Sequence, residues 1–350
     1  VRSVKLGLAI DAWSSREGAV PVERVLLAER LGYDSVWTAE AYGADALTPL
    51  AYLAAVTSRI TLATGVVQIS ARTPAATAMA FATIEAMAGR GRVIAGLGLS
   101  GPQIVEGWYG QPWARPIART RDYVAIMRQV FRREAPVAYE GRALSLPYRG
   151  PDATGLAKPL RSILHPNPDL PIYIAAGGPE NVALAAEVAD GWIPMGLSPA
   201  NASAFRPALE QGAARAGRSP DSLTIQASVT ARITDDVADT IAAMKPRVAL
   251  YVGGMGARDK NFHKDAMARR GYADAAERIQ ELFLAGRRDE AIAAVPDEYV
   301  DEGALLGSPA RIRERFAPWT TCGLTGLTVH TDQDAAIELL AEVAGAKDER

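Results

Sequence analysis

Apolar bursts of strand length alternate with helical patterns along the whole chain, and this alternation constrains the fold more than any motif does. The pairs begin with "VKLGLAI" and "PVERVLLAERLG", "DSVWTAE" and "LTPLAYLAAVTS", "ITLATGVVQI" and "PAATAMAFATIEAMAG", "RVIAGLG" and "RTRDYVAIMRQVFRR". They continue with "PIYIAA" and "PENVALAAEVAD", "GWIPMG" and "PANASAFRPALEQGAARAG", "LTIQASVTARI" and "VADTIAAMKPRVA", "GLTVHT" and "DAAIELLAEVAG". Repeated strand-helix units build a parallel sheet. Strands rich in Val, Ile and Leu without strict alternation suit burial on both faces. Eight pairs in order predict an α/β fold, a closed (β/α)8 TIM barrel, as one domain over residues 1–350. An open doubly wound sheet with a separate domain is the second choice. Two segments fit neither pattern, about 134–170 and about 250–322. Loops of that length are usually functional, and both are read as insertions at the carboxyl-terminal face of the strands.

Composition narrows the partners. With 38 basic and 40 acidic side chains, a formal net charge of -2 and no block of like charge, the chain is not expected to bind nucleic acid. Cys322 is the only cysteine, and His165, His263 and His330 lie far apart, so neither a disulfide framework nor a metal centre is expected. A reducing cytoplasm suits such a chain. The opening "VRSVKLGLAIDAW" is too short in its apolar run for a signal segment, and no stretch reaches membrane-spanning length. A small-molecule substrate and a homodimer are expected.

In a barrel of this kind the active site lies at the carboxyl ends of the strands. Those ends are Asp11 to Trp13, Glu40 to Tyr42, Gly65 to Gln68, Gly98 to Gln103, Ala176 to Pro179, Met195 to Ser198, Thr230, and Val329 to Thr331. Two of them, "GLGLSGPQ" and "AAGGPEN", are nearly bare of side chains. Either alone reads equally well as a tight connection, because glycine reaches positive φ and proline suits the first helical position. As neighbours they would form an anion cradle of backbone amides at a helix N-terminus, with Ser100 adding a hydroxyl. The chain has no G-x-S-x-G elbow, H-E-x-x-H or Walker lysine, and no facing strand-end acids besides Asp11 and Glu40. "GLGLSG" also lacks the third glycine and the downstream acid of a dinucleotide fingerprint. A roomy, glycine-lined site poor in acid-base groups points to a bound cofactor that carries the chemistry.

Five stretches carry a family resemblance: "YDSVWTAEAYGADALTPLAYLAA", the run from "ATGVVQISARTPAATAMAF" to "GLGLSGPQIVEGWYGQPW", "PDATGLAKPL", "PIYIAAGGPENVALAAEVADGW" and "YVGGMGARDKNF". Over nearly its whole length the chain resembles the luciferase-like monooxygenase superfamily. Within it, the chain is similar to the actinobacterial coenzyme F420-dependent oxidoreductases related to methylenetetrahydromethanopterin reductase. The resemblance implies a (β/α)8 barrel with an insertion over the cofactor, and a cis peptide at Gly65–Val66 forming a bulge behind the deazaflavin ring. It implies ring contact by Glu40, and contacts to the cofactor tail and phosphate from Gly98, Ser100, Gly101, Ala176, Gly177, Gly178 and Pro179. Two departures stand out. Ala41 and Gly101 occupy positions where the sugar-phosphate and alcohol dehydrogenases of the family carry a histidine and a glutamate, so their general base and acid are absent.

The expected activity is hydride transfer between the C5 carbon of F420 and a small organic substrate, with Asp11, Trp13, Tyr42 and His263 as substrate-side candidates. The alternatives are an FMN-dependent two-component monooxygenase and a non-catalytic F420-binding protein. The glycines of "YVGGMGARDKNFHKD" predict a mobile cover over the site, on which Arg258 and Lys260 would meet an anionic group. Arg72, Arg115 and Lys158 are the cations expected near the acidic tail of F420.

Overall fold

A computed structural model describes residues 4–10 and 19–346 of the chain. Eight parallel strands close into a barrel: β1 (Lys5–Ala9), β2 (Ser35–Thr38), β3 (Thr61–Thr64), β4 (Val93–Gly98), β5 (Ile172–Ala176), β6 (Gly191–Pro194), β7 (Thr224–Ile233) and β8 (Gly326–His330). The pairing Gly191 with Thr224 joins β6 to β7, and Lys5 with Gly326 joins β8 back to β1, so the eight strands form a closed ring. Eight barrel helices surround it: α1 (Val22–Arg30), α2 (Leu47–Val56), α3 (Pro74–Ala88), α4 (Pro116–Arg132), α5 (Pro179–Val188), α6 (Arg206–Arg215), α7 (Pro309–Thr321) and α8 (Asp334–Ala344).

Local chemistry explains where these helices begin and end. The Thr73 hydroxyl accepts from the Ala76 N–H, and Pro74 takes the first helical position of α3. Ser308 caps α7 in the same way through Arg311, and Gly345, at φ 67°, closes α8. The main core lies between strands and helices, with Leu8, Val36, Leu62, Phe81, Ile172 and Trp192 among its fully buried members. Inside the barrel, Trp37, Ala63 and Tyr173 form a plug with Ile94 and Ile193. Trp37 needs that space: a Cβ on Gly7 would stand 2.6 Å from its Nε1, and the indole donates to Ser35 Oγ at 2.7 Å. Among the described residues no helix is long and apolar enough to cross a membrane.

The seventh unit differs from the sequence expectation. Val237–Ala249 does not serve as the barrel helix; its Ile241 and Ala249 join a second core with Val252, Met267, Ile279, Leu282 and Leu306. The barrel helix is α7, whose Ile312, Phe316 and Trp319 enter the main core although it lies inside the 250–322 segment. Both helices are amphipathic, and periodicity names a buried face without naming what covers it. The second core belongs to a helical insertion that leaves the carboxyl end of β7 and returns through the added strand Ala304–Gly307, paired with β7.

The 134–170 segment takes a different course from the cover that was expected. It links the end of α4 to the start of β5, both at the amino end of the barrel, and climbs along the outside of α3 and α4. The Asp122 carboxylate holds its hairpin, accepting from Tyr139 Oη at 3.0 Å and from the N–H groups of Ala143 and Leu144 at 2.7 and 2.9 Å. Only the tip of this segment reaches the rim, where Leu144 lies near Ser70 and Arg72.

Candidate active site

The carboxyl end of β3 is broken by a bulge. Ala63 pairs with Ile94, but Val67 pairs with Leu97, so one residue of β3 is left over between them. The Gly65–Val66 bond within that stretch is cis. Two bonds to the end of β2 fix the bulge: Gly65 N–H donates to Thr38 O at 2.7 Å and Glu40 N–H to Val66 O at 3.0 Å. Gly98 is glycine for a reason that the sequence hides, because a Cβ there would collide with the Val66 side chain. Gly65 itself lies over the Trp37 ring, with 3.3 Å from its Cβ position to Cε3.

Glu40 is buried beside the bulge. Its carboxylate receives the Gln68 N–H at 2.9 Å and a two-pronged contact from Arg72, at 3.0 Å to Oε2 and 2.8 Å to Oε1. Burial works against the charge on Arg72, but the hydrogen bond and field of Glu40 outweigh it and raise the guanidinium above its usual value. Gln68 donates from Nε2 to Glu40 O at 3.1 Å, and its buried Oε1 has no donor among the described residues. An orphaned acceptor of this kind at a strand end is a feature that calls for a partner.

The two glycine turns lie side by side, since β4 and β5 pair through Leu97 and Ile174. No described residue accepts a hydrogen bond from the N–H groups of Ser100, Gly101, Gly177 or Gly178, and the Ser100 hydroxyl is equally unspent. Gly178 precedes α5, and a Cβ there would meet nothing within 4 Å. Trp192 Nε1 donates to Ala176 O at 2.9 Å and fixes the end of β5. Ser100 adopts the left-handed conformation, φ 59°, which costs a side-chain-bearing residue about 1–2 kcal/mol. That relief exceeds the extra unfolded-state entropy of a glycine, about 0.5–1 kcal/mol. Ser100→Gly is therefore expected to stabilise the chain slightly in urea unfolding while weakening ligand binding; a loss of stability would mean that the hydroxyl serves the fold.

The helical insertion crosses the mouth. Phe262 lies 3.9 Å from the Cβ position of Gly101, Ala266 3.2 Å from that of Gly196, and the Arg269 guanidinium 3.6 Å from that of Gly177. One short stretch thus touches the turns after β4, β6 and β5; of the segment read as a cover, residues 251–265, Phe262 makes such a contact. Lys260, read as an anion contact, sits over the Trp113 ring at 5.7 Å, and Trp113 packs on Phe262 at 6.4 Å. Asn261 anchors the stretch by donating to Val252 O at 2.7 Å and capping the next helix through His263 and Lys264.

The structure brings Glu40, Gly65, Val66, Gly98, Ser100, Gly101, Ala176, Gly177, Gly178 and Pro179 to one end of the barrel, with exposed Tyr42 at its rim. His263 is reached from the insertion and points to the β7–β8 side. Asp11 and Trp13 lie outside the described residues. The three tail cations are engaged elsewhere: Arg72 with Glu40 and Asp45, Arg115 with Arg142 O, and Lys158 in an apolar groove beside Met79 and Leu160. Arg269 was missed, because an arginine in "MARRG" reads as a solvated charge and only the fold carries it to Gly177.

A (β/α)8 barrel with a bulged third strand, bare turns after β4 and β5 and a helical insertion over them is the framework of a cofactor-dependent enzyme. The chain belongs to the luciferase-like monooxygenase family, which matches residues 11–326. A protein of Mycobacterium tuberculosis, provisionally named a coenzyme F420-dependent oxidoreductase, is 47% identical over 329 residues, 93% of this chain and 94% of the other. The coenzyme F420-dependent tetrahydromethanopterin reductase of Methanopyrus kandleri superposes with a TM-score of 0.75 at 26% identity, covering 97% of each chain. The FMN complex of the oxygenating constituent of 3,6-diketocamphane monooxygenase of Pseudomonas putida shares the fold, with a TM-score of 0.67 at 18% identity over 99% of both chains.

Proposed function

We propose that this oxidoreductase uses coenzyme F420 to transfer a hydride between deazaflavin C5 and a small organic substrate held across the barrel mouth. The observation that carries the reading is the unspent cradle: four backbone N–H groups, the Ser100 hydroxyl and the Arg269 guanidinium gather at two adjacent strand ends with no acceptor among the described residues. Bare amides at a helix N-terminus with a cation above them suit a phosphate. Glu40, Gly65, Val66 and Gln68 would hold the ring system, and Gln68 Oε1 supplies the acceptor that a pyrimidine N–H lacks. The deazaflavin, with carbon in place of the flavin's N5, supplies hydride chemistry when bound.

The chain's own residues orient and enclose. The bulge fixes the floor, Arg72 fixes Glu40, and the 262–269 stretch keeps water from the mouth. With Ala41 and Gly101 in place of the dehydrogenase histidine and glutamate, an imine or activated alkene, which accepts hydride without a strong base, suits the site better than an alcohol. The 47% identity to the mycobacterial protein named for F420 supports the cofactor choice. The fold alone is shared with the FMN enzyme, so it favours neither cofactor. As part of this reading the enzyme is a cytoplasmic homodimer, and the charge-free outer faces of α2 and α3, with Tyr52, Val56, Met79 and Met87 exposed, suit the contact.

Gly178→Ala tests the cradle. The added methyl has open space and the residue an ordinary φ of -82°, so the variant is expected to unfold like the parent. Its affinity for F420, measured by calorimetry, should fall at least tenfold, about 1.4 kcal/mol. Tight FMN binding with oxygen-dependent turnover and no affinity for F420 would favour the monooxygenase; F420 binding without turnover on any hydride acceptor would favour the binding protein.

A further inference from the structure

Across the mouth from the glycine turns, β7, β8 and the insertion line an open cleft of about 530 Å³ that none of the cofactor contacts uses. Its size lies in the range of small-molecule sites. Its walls are Val229, Met244 and Val248 on the apolar side and Tyr251 edge-on to His263, ring centroids 4.7 Å apart, on the aromatic side. Five polar side chains face it without a hydrogen-bond or ion-pair partner among the described residues: Ser228, Thr230, Arg247, Tyr251 and His263. Ser228 and Arg247 are exposed and Thr230, Tyr251 and His263 half-buried, so these donors and acceptors stand free to receive a ligand.

The charge pattern gives the ligand its class. Among the described residues Arg247 is the sole lysine or arginine in the lining, which also holds His330, and none of them is a carboxylate. Cations around it on the same insertion are neutralised: Lys245 by Asp297, Lys264 by Glu277, and Arg270 by Glu302. Among the described residues Arg247 has only the face of Tyr251, at 5.7 Å. Burial keeps His263 neutral, down at about 4, so it offers a hydrogen bond and adds no charge. A guanidinium left unpaired over an aromatic wall, with no acid among the described lining residues, suits the oxyanion of a ligand whose body lies on the ring.

We propose that this cleft is the substrate subsite and takes a small organic oxyanion, a carboxylate or a phosphate monoester. Its charged end meets Arg247, and its apolar or aromatic body lies against Tyr251 and His263. The assignment of the ligand as substrate rests on the placement of F420 at the glycine turns. The test uses benzoate, phenyl phosphate and benzamide as probes, titrated into the full chain by ligand-observed NMR with and without saturating F420. At least one of the two anions should bind tenfold or more tighter than benzamide, and the better one names the oxyanion. Arg247→Ala should bring that anion to the level of benzamide, Arg247→Lys should restore part of the difference, and both variants should keep the parent's F420 affinity. Equal binding of all three probes, no binding at millimolar concentration, or an unchanged Arg247→Ala would overturn the proposal. Displacement of the anion by F420 would assign Arg247 to the cofactor's own tail and overturn it equally. Anion selectivity in a protein with no affinity for F420 would leave the oxyanion subsite standing while the cofactor reading fails.

Discussion

Arg72→Ala is expected to lower the stability of the folded chain by about 3 kcal/mol. Glu40 is nearly closed to solvent, its side chain only 4% exposed, and Arg72 supplies two of its three strong contacts. Removing one partner of a buried pair costs about 3–5 kcal/mol, because the remaining charge is left without compensation. Arg72 is a quarter exposed, so water can enter the gap and the lower end applies. The loss should be smaller in Glu40→Gln/Arg72→Ala than the two single losses summed, since an amide leaves no orphaned charge. Urea unfolding of the four proteins measures this. A loss below about 1 kcal/mol for Arg72→Ala would put the pair with exposed ion pairs and sink the prediction. F420 affinity should fall in the same variants, because Glu40 holds the Gln68 N–H and hence the end of the bulge.

Residues that act locally were the ones legible in the sequence. The period of the apolar bursts showed the barrel because each strand and each helix writes its own burial into its own residues. The bare turns were legible for the same reason. Contacts between distant segments left no such mark. Nothing around Gly98 reveals that Val66 occupies its Cβ position, and the bareness that reads as room for a ligand is there partly room for a neighbouring side chain. Arg72 looked like a free cation until the fold set it against Glu40, while Arg269 looked solvated until the insertion laid it by Gly177. The choice between Val237–Ala249 and Pro309–Thr321 as the seventh barrel helix is of this kind too. It turns on the bulk of Phe316 and Trp319 meeting the gap beside the barrel, which a hydrophobic stripe does not encode.

His263 gives the chain an acid-sensitive stability that can be read separately from its carboxylates. Burial pushes its imidazole from the ordinary 6.5 down to about 4. Above pH 6.5 both folded and unfolded chains hold it neutral, and its contribution is fully present. Between 6.5 and 4 the unfolded chain binds a proton that the folded chain refuses, so stability falls as the pH falls, by about 1.4 kcal/mol per unit. By pH 5 the loss is about 2 kcal/mol, and it levels off near 3 kcal/mol below pH 4. Carboxylates with lowered values, such as Glu29, held by the backbone N–H groups of Ser58, Arg59 and Ile60 against its own burial, lose their contribution only further into acid. His263→Gln retains a hydrogen-bonding side chain without the titration. Its urea unfolding free energy should therefore change by about 2 kcal/mol less than the parent's between pH 7 and pH 5. Parallel curves for the two proteins over that interval would show that the imidazole is already open to water. An oxyanion seated on Arg247 should narrow the difference, since a negative charge beside the ring favours its protonated form.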